Sequence, residues 1–294
     1  LRRISVNTKM QESRDGQGDT AAAKGKTRLD VLLVQRGLAE SREQAQRLIL
    51  AGAVSVAGMG NLKPGLKVPS DAQVTVVAGE RYVSRGGLKL EAALVGFQIG
   101  VEGRVCADVG ASTGGFTDCL LQHGARLVYA VDVGASRLHE RLRRDPRVVI
   151  VDHTNAREIH RLQLPEKPTL AAVDLSFISI RKVLDSIWQW LEVGAEVVAL
   201  VKPQFEATRA EASRGKGIIR DPKIHARILR EVLDYAQTHG WQVRGLMPSP
   251  IHGGSGNREY LCWLVRGNEF GAPQAVGIDI DAVVEQAFNT TCES

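Results

Sequence analysis

The sequence predicts an α/β protein, a doubly wound sheet with an antiparallel last strand, preceded by a small α+β domain. Three observations carry this. After Gly103, short apolar runs alternate with amphipathic runs in the order strand, helix, strand, the pattern of parallel strands joined by crossover helices. The first of these strands ends in a glycine-rich turn, Gly110-Ala-Ser-Thr-Gly-Gly-Phe116, which opens a run from Phe116 to His123 with one apolar helix face. Charge also divides the chain. Residues 1–103 carry fifteen Lys/Arg against ten Asp/Glu, whereas the totals are 38 and 33, so the remainder is neutral and the whole excess sits in front. A chain of 294 residues can bury a sizeable core and suits one large domain with a smaller one.

Residues 1–26 are polar, basic and aperiodic and read as a disordered segment. Gly25-Lys26-Thr27 is no phosphate-binding loop, because Thr20 stands where the earlier glycine is required and no strand precedes it. Residues 27–79 form the small domain. Leu29, Leu32 and Leu33 mark a short helix stopped by Gly37. Ser41-Arg-Glu-Gln44 fits a capping box that opens a second helix with Ala45, Leu48 and Ile49 on its apolar face. Val54–Val56 and Val74–Val77 read as strands. Arg28, Arg36, Arg42 and Arg47 flank the apolar faces, as in a solvated surface or one that meets an anionic polymer.

Residues 80–87 read as an interdomain linker, with Ser84-Arg85-Gly86-Gly87 as the loop signal. The large domain follows at 88–267, beginning with a helix marked by Leu88, Leu90 and Leu94. Lys89 near its start opposes the helix dipole, so helix stability does not explain it. Strands are expected at 104–109, 127–131, 147–151, 170–173, 196–201, 242–247 and 260–265, with helices between the first six. Ligands in such sheets gather at the carboxyl ends of the strands. There stand Gly110, Asp132, Asp152 with Asn155, Asp174 and Lys202. Residues 203–220 form a long basic loop of the kind that serves as a lid or binding loop, or is disordered. The tail, 268–294, holds one possible helix at 279–288.

No run reaches the roughly 20 apolar residues of a membrane-spanning helix, and no apolar segment follows Leu1-Arg-Arg3 as in a secretory signal. The four cysteines form no C-x-x-C pair, and Cys106 and Cys262 sit in strand-like runs as core residues. A cytoplasmic protein with no metal site is expected.

The turn at Gly110 admits several ligands. A nicotinamide fingerprint needs glycine where Ser112 stands. Gly110-Ala-Ser112-Thr-Gly114 satisfies the nucleophile-elbow pattern, and Asp174 and His252 follow in the order Ser, Asp, His, so a serine hydrolase is an alternative. Its elbow, however, normally follows several strands of the same sheet, and a hydrolase has no need of Asp132. The turn followed by a strand-end acid about 20 residues on is similar to that of S-adenosylmethionine-dependent methyltransferases. On that likeness Gly110, Ser112, Gly114 and Phe116 form the turn around the cofactor. Asp108 receives the methionine ammonium, Asp132 the ribose hydroxyls, Asp152 or Asn155 the adenine edge, and Phe177 lies on the adenine. Asp152 and Asn155 fit equally well as turn-stabilising residues, and Phe177 as a core aromatic.

After the fourth strand stands Asp174-Leu-Ser-Phe177, not the Asn/Asp-Pro-Pro-Tyr/Phe of exocyclic-amine methyltransferases, and no cysteine is placed for base-carbon methylation. Lys89, Asp174, Lys202 and Glu259 remain. With them the large domain resembles FtsJ-type ribose 2′-hydroxyl methyltransferases of Rossmann-like fold. Its strings are Tyr82-Val-Ser-Arg-Gly-Gly-Leu-Lys89, Asp108–Thr117, Asp174-Leu-Ser-Phe-Ile178, Val201-Lys-Pro-Gln-Phe-Glu206 and Gly256-Asn-Arg-Glu-Tyr260. The small domain resembles the S4-like RNA-binding domain through Arg28-Leu-Asp30, Gly37-Leu-x-x-Ser-Arg42, Ala45 and Leu48-Ile-x-x-Gly-x-Val-x-Val56. The two together resemble the TlyA family of rRNA ribose methyltransferases, some of which carry a hemolysin name. The resemblance implies a Lys89/Asp174/Lys202/Glu259 catalytic centre, S-adenosylmethionine as cofactor, and a cytidine ribose of ribosomal RNA or ribosomal subunits as substrate. It also implies RNA contacts from Arg28, Arg36, Arg42, Arg47 and Arg85. Two lysines in a desolvated site repel, which favours loss of a proton from one. Lys202 is expected to accept the hydroxyl's proton or to orient the hydroxyl, with its amine held by Asp174 and Glu259, while Lys89 contacts the hydroxyl or a phosphate. A non-catalytic RNA-binding or ribosome-assembly factor is the alternative reading.

Overall fold

In this computed structural model residues 25–50, 52–60, 62–76, 81–135, 137–253, 256–268 and 277–289 are described. The disorder expected for 1–26 falls, as far as residue 24, outside the described residues, and so does Cys292. The chain divides into two units, Leu1–Arg81 and Tyr82–Ser294.

The first unit runs β1 (Lys26–Arg28), α1 (Leu29–Gln35), α2 (Arg42–Leu50), β2 (Val54–Val56), β3 (Lys67–Pro69) and β4 (Val74–Val76). Leu29, Leu32 and Leu33 of α1 meet Ala45 and Ile49 of α2 over Val54, Val56, Val68 and Val74. The strands form two antiparallel pairs, β1 with β3 and β2 with β4, of which β2 and β4 are the two expected strands. The first pair escapes a reading by hydrophobic period because Lys26-Thr-Arg28 has no apolar residue. The capping box is also displaced. Ser41 accepts from the Gln44 N–H at 3.2 Å, but the Gln44 side chain accepts from Glu40, one residue before the cap.

Within this core lies a fully buried carboxylate, Asp30. Arg28 holds it bidentately at 3.0 and 2.9 Å, and Arg42 and Gln46 each donate to it at 3.0 Å. The Arg28 guanidinium, with Gln46 and Arg42, holds its carboxyl far below the usual carboxylate range. Arg36 donates to the carbonyls of Ser70 and Ala72 at 2.6 and 2.7 Å. Arg28, Arg36 and Arg42 thus bind the minidomain together while remaining exposed, as Arg47 and Arg85 also are.

The second unit begins with α3 (Gly86–Gly96), β5 (Val105–Val109), α4 (Gly115–Gln122), β6 (Leu127–Val131), α5 (Glu140–Arg143) and β7 (Val148–Val151). It continues with β8 (Leu170–Val173), α6 (Arg181–Trp190), β9 (Glu196–Val201), α7 (Pro203–Glu206), α8 (Arg209–Arg214) and α9 (Pro222–Thr238). The last elements are β10 (Trp241–Pro248), β11 (Tyr260–Arg266) and α10 (Ile280–Asn289). The seven strands lie in the order β10-β11-β9-β8-β5-β6-β7. From β7 to β9 neighbours are parallel, and β11 slots antiparallel between β9 and β10. Helices cover both faces. Val105, Ala107 and Val109 of β5 join the core under α6, α9 and α10, while Cys106 faces Leu90 and Leu94 of α3 and Leu120 of α4. Strand alternation therefore aims Asp108 at the α3/α4 face.

Four expectations need correction. Residues 86 and 87 are helix, not linker: a Cβ at Gly87 would lie 2.2 Å from the Tyr82 ring, so the glycine serves close packing. Leu88 is 37% exposed and not part of the apolar face. Between β7 and β8 the only regular element is the 3₁₀ turn Ala156–Arg161. The loop at 203–220 is largely helical; α8 is closed by a capping box of Thr208 and Glu211, and Arg227 pairs with Glu211 at 2.8 Å.

Asp30→Ala is expected to destabilise the first unit by about 3 kcal/mol, the low end for breaking a buried ion pair because both arginines are half exposed. Since the folded carboxyl titrates below its unfolded value, the stabilisation is fully present above about pH 4 and fades as pH falls towards the folded pKa. Thermal unfolding of the variant should reveal an earlier transition confined to this unit.

Candidate active site

The strand order reverses on either side of β5, which opens a crevice at the carboxyl ends of β5 and β8. Gly110 and Ala111 both donate to the Val131 carbonyl, at 2.8 and 3.1 Å, which folds the turn back onto β6. Gly110 has φ of 95°, and a Cβ there would lie 2.3 Å from the Asp174 carbonyl oxygen. Only glycine lets the two strand ends come so close. Ser112, at φ of 49°, gives its N–H to Asp132 Oδ2 at 2.9 Å; Oδ1 accepts from Gly134 at 3.1 Å. Each carboxylate oxygen keeps a further acceptor site for a ligand. The cleft beside this turn is lined by Gly110, Ser112, Asp132, Thr154, Asp174 and Phe177, among others.

Asp108 lies under the turn, 1% exposed. Its Oδ2 accepts from the Thr117 N–H at 2.8 Å and from Thr117 Oγ1 at 2.7 Å, which anchors the first turn of α4 to β5. Its Oδ1 is buried without a partner among the described residues. Burial pushes this carboxyl up to about 7 against the opposing Thr117 hydrogen bonds, and the negative Asp174 and Asp132 add to the rise. A buried acid with an oxygen that has no partner among the described residues suits a cationic ligand group.

Two ion pairs stand at the β9 and β11 ends. Lys202 Nζ lies 2.5 Å from Asp174 Oδ1 and donates to Ser176 Oγ at 3.2 Å. Lys89 Nζ donates to Glu259 Oε2 at 2.5 Å. Both lysines are 8% exposed, so Lys89 is not the surface residue its helix position suggests. The expectation that Asp174 and Glu259 together hold Lys202 is corrected: Asp174 pairs with Lys202 and Glu259 with Lys89. Gln204 Nε2 reaches Glu259 Oε1 at 3.4 Å and so links the Lys202 strand end to the second pair. Glu206, which the sequence carried without a role, accepts from Ser179 Oγ and the Ile180 N–H, both at 2.6 Å, and from Arg181 Nε at 3.3 Å. It ties the Asp174 loop to the Lys202 loop. No hydrophobic period or turn signal marks such a tertiary cap.

Other expected residues lie elsewhere. Phe116 is 3% exposed and packs in the α3/α4 core, so it supports the turn from beneath. Asn155 spends its side-chain oxygen capping the 3₁₀ turn, on Arg157 N–H at 3.0 Å. Asp152 retains one buried, unpartnered oxygen. Phe177 is not a core aromatic: it is 91% exposed, at φ of 65°, with its ring 5.3 Å from that of Phe205. A bulky residue at positive φ is strained, and its loop is held there by Glu206. The hydrolase alternative loses its triad, since Asp174 serves Lys202 and His252 lines a separate pocket beside Glu259 and Arg258. Burial pushes the Cys106 and Cys262 thiols up to about 12, so neither is a nucleophile.

Residues 82–266 match the FtsJ-like methyltransferase family model, and residues 27–71 match that of the S4 domain. YqxC of Bacillus subtilis, described as a candidate rRNA methyltransferase, is 46% identical over 273 residues, covering 91% of this chain and 96% of YqxC. TlyA of Mycobacterium tuberculosis, named a 16S/23S rRNA (cytidine-2′-O)-methyltransferase, is 46% identical over 241 residues, covering 81% of this chain and 90% of TlyA. A solved structure from Streptococcus thermophilus, described as a candidate hemolysin, superposes with a TM-score of 0.68 at 44% identity, covering 90% of this chain and 97% of the other.

Gly110→Ala should force the β5 and β8 ends apart. The expected result is a loss of about 2–3 kcal/mol in unfolding free energy, from φ strain and contact with backbone, together with lost binding of an adenosine ligand by calorimetry.

Proposed function

Since the chain belongs to the FtsJ-like methyltransferase family and carries an S4 domain ahead of it, we propose that it methylates the 2′-hydroxyl of a cytidine ribose in ribosomal RNA, with S-adenosylmethionine as methyl donor. The observation that carries the reaction class is the pair of buried lysine–carboxylate contacts, Lys202–Asp174 and Lys89–Glu259. The substrate follows from the rRNA (cytidine-2′-O)-methyltransferase name of the 46% identical TlyA protein. Exposed Arg47 and Arg85 suit phosphate contacts. A lytic activity, which the hemolysin name would suggest, has no support here. Among the described residues no helix is long and apolar enough to cross a membrane.

The residues fit the cofactor. Asp108 Oδ1 would take the methionine ammonium, Asp132 the ribose hydroxyls, and the Gly110–Gly114 turn leaves room for the backbone to approach. When bound, the cofactor supplies an electrophilic methyl on a sulfonium. A ribose hydroxyl is a weak acid, so the protein must hold its oxygen in line and receive its proton. Lys202, fixed by Asp174 and Ser176, orients the oxygen, and the Asp174 carboxylate takes up the proton. Lys89, fixed by Glu259, holds the hydroxyl or the adjoining phosphate from the other side.

Lys202→Ala is expected to abolish methyl transfer, measured with labelled cofactor, while calorimetric binding of S-adenosylmethionine survives. Retained turnover would sink the assignment. Asp108 gives a pH test. Its carboxyl is raised to about 7 in the free protein and must ionise to meet a cation, so binding releases a proton. Affinity should climb as pH rises towards about 7 and then level off, and Asp108→Asn should bind weakly without that slope. A flat profile in the unaltered protein would contradict the Asp108 role.

A further inference from the structure

The family match ends at residue 266, yet α10 beyond it packs on the same unit through buried Val284 and Ala287. Its last turn meets the segment that carries Glu259. Arg258 Nε donates to the Ala287 carbonyl at 2.8 Å, one of the orphan acceptors at a helix end. The same guanidinium lies 4.1 Å from the centroid of the Phe288 ring. Phe288 also stands edge-on to His225, 5.1 Å between centroids at 86°. His225 Nε2 bonds the Ile219 carbonyl at 2.9 Å, so that nitrogen carries the proton; Nδ1 therefore accepts from the Tyr260 hydroxyl at 2.8 Å. Both neighbours of Glu259 are thus anchored through contacts that converge on Phe288. Asn257, one residue further back, donates to the Gly217 carbonyl at 2.8 Å and accepts from the Ile219 N–H at 3.1 Å.

Glu259 needs such support. It stands just ahead of β11, where the strand ladder begins only at Tyr260, and among the described residues its backbone is tied by one bond, Ser249 N–H to its carbonyl at 2.9 Å. Its carboxylate nevertheless has to meet Lys89 at 2.5 Å. We propose that the C-terminal helix α10 is a positioning element of the catalytic centre, in which Phe288 and the Ala287 carbonyl seat Arg258 and thereby set the Glu259–Lys89 contact. Arg258 and Phe288 are positioning residues: neither bonds Lys89 or Glu259, and both act through the backbone on either side of Glu259. The inference rests on the catalytic role proposed for the Lys89–Glu259 pair.

The test uses the full chain with Arg258→Ala, Phe288→Ala, the conservative Arg258→Lys and Phe288→Leu, and Glu259→Gln in parallel. Methyl transfer to rRNA is measured for kcat and KM, and S-adenosylmethionine affinity by calorimetry. Displacement of a catalytic group by about 1 Å costs up to about 100-fold, so kcat should fall at least about tenfold in both alanine variants. KM and cofactor affinity should stay within about twofold. Arg258→Lys should recover part of the loss, because an ammonium can reach the Ala287 carbonyl but cannot stack on the ring. The double alanine variant should be no worse than the poorer single one, as expected of two residues in one contact. If the alanine variants lose cofactor binding along with activity, the conservative pair decides, and unchanged kcat in both overturns the inference. Normal turnover of Arg258→Ala and Phe288→Ala beside an inactive Glu259→Gln overturns it as well and leaves the catalytic reading standing. Full activity in Glu259→Gln would instead overturn the catalytic reading itself.

Discussion

The close approach of Gly110 to the Asp174 carbonyl is the constraint on which the rest of the site depends. It brings the carboxyl ends of β5 and β8 together at the place where the strand order reverses. With a side chain there, the crevice would widen, Asp108 would lose its cover, and Asp174 would move relative to Lys202. Gly110, Ser112, Gly114 and Phe177, all at positive φ, stand at the carboxyl ends of β5 and β8 beside this contact. Strain concentrated at one rim, held by Asp132 on one side and Glu206 on the other, is what a preorganised site requires.

The charges inside the rim are poor devices for stability. A buried ion pair roughly cancels its own desolvation cost, and apolar residues of like volume would often serve the fold better. Asp108 is costlier still, with an oxygen that has no partner among the described residues. Asp30 in the minidomain makes the contrast. Its carboxylate is surrounded by donors on every side, two arginines and a glutamine, and it works as a fastener between helices. Where polar satisfaction is complete the role is architectural; where it is left open at the cleft, a ligand completes it.

Much of this was legible in the sequence because the sheet is buried on both faces. Such strands are nearly continuous apolar runs, and their ends agree with the expected ones to within a residue or so, from Val105–Val109 to Tyr260–Arg266. The turn at Gly110 and the acids at 108, 132 and 174 were legible for the same reason, standing where those runs stop. Pairings set by distant parts of the chain were not. Nothing local says that Glu259 belongs to Lys89 and Asp174 to Lys202, that β11 inserts between β9 and β10, or that Glu206 accepts from the Ile180 N–H ahead of α6. Asn155 turned out to cap a turn with its oxygen and Phe116 to lie in the core, because a turn-capping oxygen and a core ring have the same local pattern as ligand contacts. Gly86 and Gly87 misled because glycine usually marks a loop, and here it makes space for Tyr82.

The central claim is that this site methylates a ribose and not a base. The most direct measurement is nucleoside mass spectrometry of ribosomal subunits incubated with the purified protein and S-adenosylmethionine, with alkaline cleavage to locate the mark. The account predicts a new 2′-O-methylcytidine that blocks backbone cleavage on its 3′ side and disappears with Lys202→Ala. Methyl carried on a nucleobase, with the backbone still cleaved at that position, would contradict it.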